Sequence, residues 1–242
     1  MARIDGRENG QLRPITITKD FIKYPEGSVL IEWGNTKVIC NATVENSVPP
    51  FLKGQGRGWV TAEYSMLPRA TETRTPRDIS RLKLAPRSAE IQRLIGRSLR
   101  SVVNLGRLGE RTITVDCDVI QADGGTRCAS ITGGFCALVL ALSRLQGQNV
   151  FKMLPLYSYV AAVSCGIVHN APMCDLNYLE DSGGEADFNF VMDDEGKVIE
   201  LQGTGEQRPF TKRELDEMYI FAENAVKLIV REQKKAVGDL FQ

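Results

Sequence analysis

The run from Ala129 to Leu145 is small and apolar, broken only by Ser130, Thr132, Ser143 and Arg144. A segment this long with no polar face reads as a helix buried on every side. The β-rich run from Thr112 to Ile120 precedes it. The two are joined through Asp123-Gly124-Gly125-Thr126-Arg127-Cys128-Ala129-Ser130. Two glycines at a strand-to-helix junction let backbone N–H groups approach an anion closely. The first turn of the helix adds unpaired N–H donors and the positive end of its dipole. Thr126 contributes a hydroxyl, and Arg127 a planar fork of donors suited to phosphate. The junction therefore reads as a phosphate cradle, and equally as an ordinary glycine turn when it is taken alone.

Charge is unevenly placed along a chain of 242 residues whose formal net charge is zero. Lys53 to Arg107 carries twelve Lys and Arg against four acids, and Asp175 to Glu206 carries ten acids against Lys197 alone. This asymmetry points to a polyanionic partner on one side and a cation on the other. The excess of Arg over Lys in the basic stretch favours phosphate recognition. The six cysteines form no Cys-x-x-Cys pair and lie mostly in apolar patterns, so they read as buried reduced thiols. A single histidine, His169, builds no His-rich zinc site and gives a catalytic triad no local support. The N-terminus lacks the apolar core of a signal peptide, and no apolar run reaches the roughly 20 residues that span a bilayer. The expectation is a cytoplasmic protein without a membrane partner.

The chain reads as two α+β halves, 1–150 and 151–242, each with strands first and a helix after. Residues through Arg13 read as polar and irregular. Ile15–Thr18 alternates as a strand, Gly34-Asn35 marks a hairpin between Ser28–Trp33 and Thr36–Val44, and Trp59–Tyr64 is a further strand. Pro68–Pro86 carries Arg69, Arg74, Arg77, Arg81 and Lys83 and reads as an exposed basic loop. Ser88–Asn104 shows an apolar stripe at helical spacing, with Arg93, Arg97 and Arg100 forming a basic ridge off it. Phe151–Pro155 reads as a linker. Strands follow at Tyr159–Val168, Met173–Leu179, Ala186–Met192 and Lys197–Gln202. A final helix opens with the capping-box pattern Thr211-Lys212-Arg213-Glu214.

Asp175, Asp181 and Asp187 recur every six residues across a turn-like Asp181-Ser182-Gly183-Gly184. That pattern predicts Asp175 and Asp187 on neighbouring strands of a hairpin, with Asp181 at its bend. Clustered carboxylates suit a hard divalent cation such as Mg²⁺ or Mn²⁺, and a solvated acidic hairpin is the plainer alternative. A phosphate cradle, an arginine-rich loop and a carboxylate cluster together meet the needs of phosphoryl or nucleotidyl transfer.

The ordered motifs Gly6-Arg7 to Arg13-Pro14, Phe51-Leu52-Lys53-Gly54-Gln55-Gly56, Thr61-Ala62-Glu63-Tyr64, Met66-Leu67-Pro68-Arg69, Glu90-Ile91-Gln92-Arg93-Leu94-Ile95, Asp116-Cys117-Asp118-Val119 to Thr126-Arg127, Cys174-Asp175-Leu176, Glu180-Asp181-Ser182 and Val198 to Thr204 cover nearly every segment. The chain resembles in these the ribonuclease PH family of bacterial phosphate-dependent 3′ exoribonucleases. The resemblance implies a two-layer α+β fold of mixed sheets packed with helices, ribosomal-protein-S5-domain-2-like, in two similar halves. It implies inorganic phosphate as co-substrate on Arg87, Gly125, Thr126 and Arg127. It places the metal-linked aspartates on Asp181 and Asp187 with Asp175 beside them, and RNA guidance on Arg69, Arg74 and Arg77, to which Arg93 of the basic ridge is added. It implies a hexameric ring, a trimer of dimers, acting on RNA 3′ ends, tRNA precursors and rRNA among them. Segment 78–86 departs from the family's usual forms.

On this reading phosphate attacks the terminal phosphodiester and releases nucleoside diphosphates reversibly. Arg87 and Arg127 orient the phosphate, and Asp181 serves either as metal ligand or as general acid. Few aromatic residues accompany the arginine loop, so contacts with RNA are expected at its backbone, with base stacking minor. The competing readings are a hydrolytic metal-dependent ribonuclease, a non-catalytic RNA-binding ring subunit and a small-molecule kinase on a related fold.

Overall fold

The computed structural model describes residues 3–77, 80, 83 and 85–240. Its first sheet has the order β1-β2-β3-β5-β4, built from β1 (Ile15–Lys19), β2 (Gly27–Trp33), β3 (Thr36–Glu45), β4 (Trp59–Met66) and β5 (Thr112–Gln121). The β2–β3 hairpin turns at Gly34-Asn35, as its sequence requires. All pairs are antiparallel except β4 with β5, which run parallel. A parallel pair needs a crossover, supplied here by helices α1 (Pro86–Ser101) and α2 (Leu105–Leu108). The second sheet, β7-β6-β8-β9, is antiparallel and is formed by β6 (Val160–Val168), β7 (Ala171–Cys174), β8 (Ala186–Asp193) and β9 (Val198–Gly205).

Helix α3 (Thr126–Gly147) follows β5 and packs against β2, β3 and β5 of one sheet and β6 of the other. Its place between the two sheets accounts for its lack of a polar face. Its 22 residues, with a mean hydropathy of 1.6 in the most apolar window, reach the length of a membrane span. That exceeds the apolar run read from sequence, yet 83% of the window is buried against the rest of the chain. The final helix, α5 (Lys212–Val237), starts in the expected capping box, with Thr211 and Glu214 bonding reciprocally, and packs on β6, β7 and β8. The core is continuous across both halves, from Val29 and Ile31 through Phe135 and Leu138 to Phe190 and Ile229. The linker segment is pinned to the end of α1: the Asn104 N–H donates to the Pro155 carbonyl at 2.8 Å, and Leu156 pairs with Val103.

Residues 3–13 hold no helix or strand, as the sequence suggests, and are tied down, with Arg3 and Arg13 buried. One sequence expectation is corrected. The acidic segment is no hairpin, because β6 stands between β7 and β8 and the short helix α4 (Tyr178–Ser182) carries Asp181. All six cysteines are free and buried, and His169 is exposed in the β6–β7 turn.

Candidate active site

The cradle is a tight turn held from several sides. Gly124 and Gly125 both adopt left-handed backbone angles, with φ of 74° and 68°. Such angles strain any residue with a Cβ, and a Cβ on Gly124 would stand 2.5 Å from the Leu176 carbonyl. The buried hydroxyl of Thr36 clasps the turn, donating to Gly124 O at 2.7 Å and accepting from the Asp123 N–H at 2.9 Å. The Arg13 guanidinium donates to Asp123 O from below. Gly125 caps α3 without any side-chain bond to the first turn, so the end of a long helix offers its N–H donors uncovered.

These donors line a hollow of about 20 Å³ with Arg87, Thr126, Arg127, Ser164, Asp181, Asp187 and Asn189. Arg87 is the second residue of α1, so the arginine loop ends at the hollow. The hydroxyl of Thr126 meets that of buried Tyr64 at 2.9 Å. Arg127 donates through Nη2 to Glu90 at 3.2 Å and reaches Asp187 through Nη1 at 3.9 Å. Its Nε is buried with no hydrogen-bond partner among the described residues. Burial lowers the Arg127 pKa, but the Glu90 and Asp187 carboxylates outweigh it and hold the guanidinium firmly charged.

The acids enter from the second half, Asp181 from α4 and Asp187 from β8. Asp187 and Asn189 are two apart on β8 and share a face, with Asn189 opposite Ser164 of β6. Burial, and then the nearby Asp181 charge, push the Asp187 carboxyl up to about 6. Burial also raises Asp181, against the pull of Arg87, Arg127 and Arg13. Two such carboxylates facing one hollow are hard oxygen donors of the type that would suit a divalent cation. Among the described residues no group of three or more His, Cys, Asp and Glu side chains could hold a metal ion, so Asp181 and Asp187 stand as a pair.

Asp175 does not join this pair. Only 1% exposed, it accepts from the Arg13 backbone N–H at 2.6 Å, Arg13 Nη2 at 2.6 Å, Trp33 Nε1 at 3.0 Å and Arg7 Nη1 at 3.2 Å. Its lone pairs are taken by these donors, which removes it from the metal candidates. The neighbouring Glu180 is held likewise by Arg3 Nη2 at 2.6 Å and Nε at 2.8 Å.

Arg69, Arg74 and Arg77 are exposed along the loop, and Arg93 is exposed on α1. Arg81 lies outside the described residues, as does most of 78–84. The rest of the basic ridge is engaged: Arg97 pairs with Glu200 at 2.5 Å, and Arg100 stacks 4.2 Å over the Trp59 ring while donating to Val60 O. Thr36, Tyr64, Glu90, Arg13, Ser164 and Asn189 were not singled out from sequence. Tyr64, Glu90 and Arg13 stand inside the motifs that carried the family resemblance, which was the one available signal for them.

Two models of the 3′ exoribonuclease family match the chain, domain 1 over residues 11–143 and domain 2 over residues 158–225. Ribonuclease PH of Bacillus velezensis is 55% identical over 238 residues, covering 98% of this chain and 97% of that protein. Among solved structures, rice Rrp46 superposes with a TM-score of 0.79 at 19% identity, covering 97% of this chain and all of that one. The Archaeoglobus fulgidus exosome with RNA bound to the active site gives 0.81 at 23% identity, covering 96% and 92%. These two likenesses speak for the fold. The two family models and the relative at 55% identity carry the conclusion: the chain belongs to the 3′ exoribonuclease family and acts as a phosphate-dependent exoribonuclease.

Proposed function

We propose that inorganic phosphate, seated on Arg87, Gly125, Thr126 and Arg127, attacks the 3′-terminal phosphodiester of an RNA chain. A phosphate oxygen bonds to the terminal phosphorus, and the bond to the O3′ of the preceding nucleotide breaks. That oxygen takes up a proton and remains as the new 3′ end, while the product leaves as a nucleoside diphosphate. Bonds of one type are exchanged, so an excess of diphosphate drives nucleotide addition. The observation that carries this reading is the buried, unpartnered Nε of Arg127 beside the uncapped end of α3. A buried charged donor left unpaired costs about 1–3 kcal/mol, which a bound phosphate oxygen recovers.

Arg87 and Arg127 hold the nucleophile and offset its repulsion from the RNA phosphate, which is positioning plus electrostatics. Asp181 and Asp187 would hold Mg²⁺ or Mn²⁺, which when bound neutralises charge at the scissile phosphate. Glu90 accepts from Arg127 Nη2 at 3.2 Å and so helps to hold the guanidinium in place. Arg69, Arg74, Arg77 and Arg93 guide the RNA backbone. The substrates are RNA 3′ ends, tRNA precursors and rRNA among them, and the chain assembles as a hexameric ring of three dimers in the cytoplasm. The exposed Ile220 and Leu228 of α5 support an assembly, which light scattering checks. The deciding experiment is digestion of a 3′-labelled RNA with and without phosphate. Release of nucleoside diphosphate only when phosphate is present supports the reading, and monophosphate release without phosphate refutes it in favour of hydrolysis.

A further inference from the structure

A second and larger hollow, of about 530 Å³, opens beside the cradle and is lined by Asn35, Arg69, Thr71, Gln121, Asp123 and Tyr178. Its size suits a nucleoside, since small-molecule sites run to about 300–1,000 Å³. Asp123, immediately before the two cradle glycines, forms part of its lining. Tyr178 lies three residues before Asp181 on α4, a spacing that puts Cβ atoms about 5–6 Å apart on one helix face. Tyr178 is 55% exposed, although its backbone is fixed by a 3.2 Å bond from its N–H to the Asp123 carboxylate. The other carboxylate oxygen of Asp123 accepts from Asn35 Nδ2 at 3.1 Å, and Gln121 Nε2 donates to Asn35 O at 2.6 Å. Both amides are therefore fixed in place, and each keeps a side-chain oxygen as acceptor. Asp123 and Glu72 in the lining favour a neutral base over a phosphate in the body of the hollow, and Arg69 is the one cation among its described lining residues.

We propose that this hollow receives the base of the nucleotide on the 5′ side of the scissile bond, stacked on Tyr178, with Arg69 on its phosphate. The inference rests on the phosphorolytic reading and deepens it. An aromatic face accepts any base, fixed amides meet base edges, and a guanidinium meets the backbone. On this proposal stacking is more than minor: the ring comes from α4, 109 residues from Arg69 in sequence, and only the fold brings them together.

The test uses a single-stranded oligoribonucleotide carrying 2-aminopurine at the penultimate position, titrated without phosphate so that no turnover occurs. Wild type and Tyr178→Phe are expected to quench the fluorophore, and Tyr178→Ala to lose the quenching and bind about 10-fold more weakly. With the fluorophore moved five positions from the end, quenching by wild type should be smaller. Wild-type affinity and quenching in Tyr178→Ala would overturn the proposal. Equal quenching at both positions, or a loss as large in Tyr178→Phe as in Tyr178→Ala, would do the same. Phosphate-dependent diphosphate release by the wild type is measured alongside. Its absence refutes phosphorolysis, while its presence together with unaltered Tyr178→Ala binding refutes only the base site.

Discussion

Replacing Arg127 with lysine separates a ligand-binding arginine from a structural one, because the two roles predict opposite thermal behaviour. Without phosphate, the guanidinium contributes a partly exposed pair with Glu90 at 3.2 Å and a 3.9 Å approach to Asp187, each worth about 0–1 kcal/mol at such exposure. Against this stands its buried Nε without a partner. Arg127→Lys should therefore leave the ligand-free protein within about 1 kcal/mol of wild type. At phosphate near 100 times its Kd, the wild type gains about 2.7 kcal/mol. For a chain of this size that raises Tm by roughly 5–11 °C. Loss of one charge-assisted hydrogen bond weakens phosphate by about 1.5–3 kcal/mol, or roughly 10- to 150-fold. The same phosphate then adds only about 0.3–1.4 kcal/mol to the variant. The assay is differential scanning fluorimetry across a phosphate series at fixed protein concentration, since association makes Tm concentration-dependent. A wild-type shift in the variant, or a ligand-free Tm that falls by more than the phosphate effect, would refute the assignment.

Tyr64→Phe removes the hydroxyl that meets Thr126 at 2.9 Å, so the KM for phosphate should rise about 3- to 10-fold while RNA affinity holds; a fall in Tm with an unchanged phosphate KM would make Tyr64 purely structural. Asp175→Asn leaves Arg13 buried without its carboxylate and should cost about 3–5 kcal/mol in denaturant unfolding with no metal present; unchanged stability with weakened Mg²⁺ binding would restore it as a ligand. Asp187 has a folded pKa of about 6, above its unfolded value, so its contribution to stability is present only when it is protonated and is lost as pH rises through 6. Asp187→Asn should accordingly raise Tm at pH 7.5 but not at pH 3.5, and the Mg²⁺ needed for turnover by wild type should increase from pH 7.5 to 5.5. Alanine at Arg69, Arg74 and Arg77 together should lower the slope of log affinity for single-stranded RNA against log salt by about 2, and an unchanged slope would remove the loop from the RNA path.

What sequence could show depended on how far each residue acts from its neighbours in the chain. The strand, the glycine turn and the apolar helix are local, and each is legible: two left-handed glycines and a helix without a polar face leave few alternatives. The β2–β3 hairpin and the Thr211 capping box were legible for the same reason. The six-residue recurrence of Asp175, Asp181 and Asp187 was misleading because spacing says nothing of which strand lies between two others. Here β6 separates β7 from β8, and Asp175 turns instead to Arg13, 162 residues away. Thr36 and Tyr178 were invisible to any local pattern, since both act on Asp123 or Gly124 from distant elements. Arg97 and Arg100 look like free cations at helical spacing, and only the fold shows Glu200 and the Trp59 ring beside them.

The buried ion pairs around Asp175 make sense as the joint of a site assembled from two halves. The cradle follows the first sheet, whereas Asp187 lies on the second and Asp181 on α4 beside it, and in the proposed reading the distance between phosphate and scissile bond depends on how the two are set against each other. Arg13 spans that gap with one guanidinium, bonding Asp123 O of the cradle and both oxygens of Asp175. Arg3 grips Glu180, the residue next to Asp181, together with the carbonyls of Cys174 and Asp175. Apolar packing in these positions would often serve stability as well as buried charge does. It would not fix direction, because an apolar contact tolerates sliding whereas a multidentate guanidinium–carboxylate pair does not. Near-attack geometry tolerates little displacement. Buried arginines of the N-terminal arm at this joint therefore suit the proposed reading, in which the chemistry consists almost entirely of holding two phosphates in line.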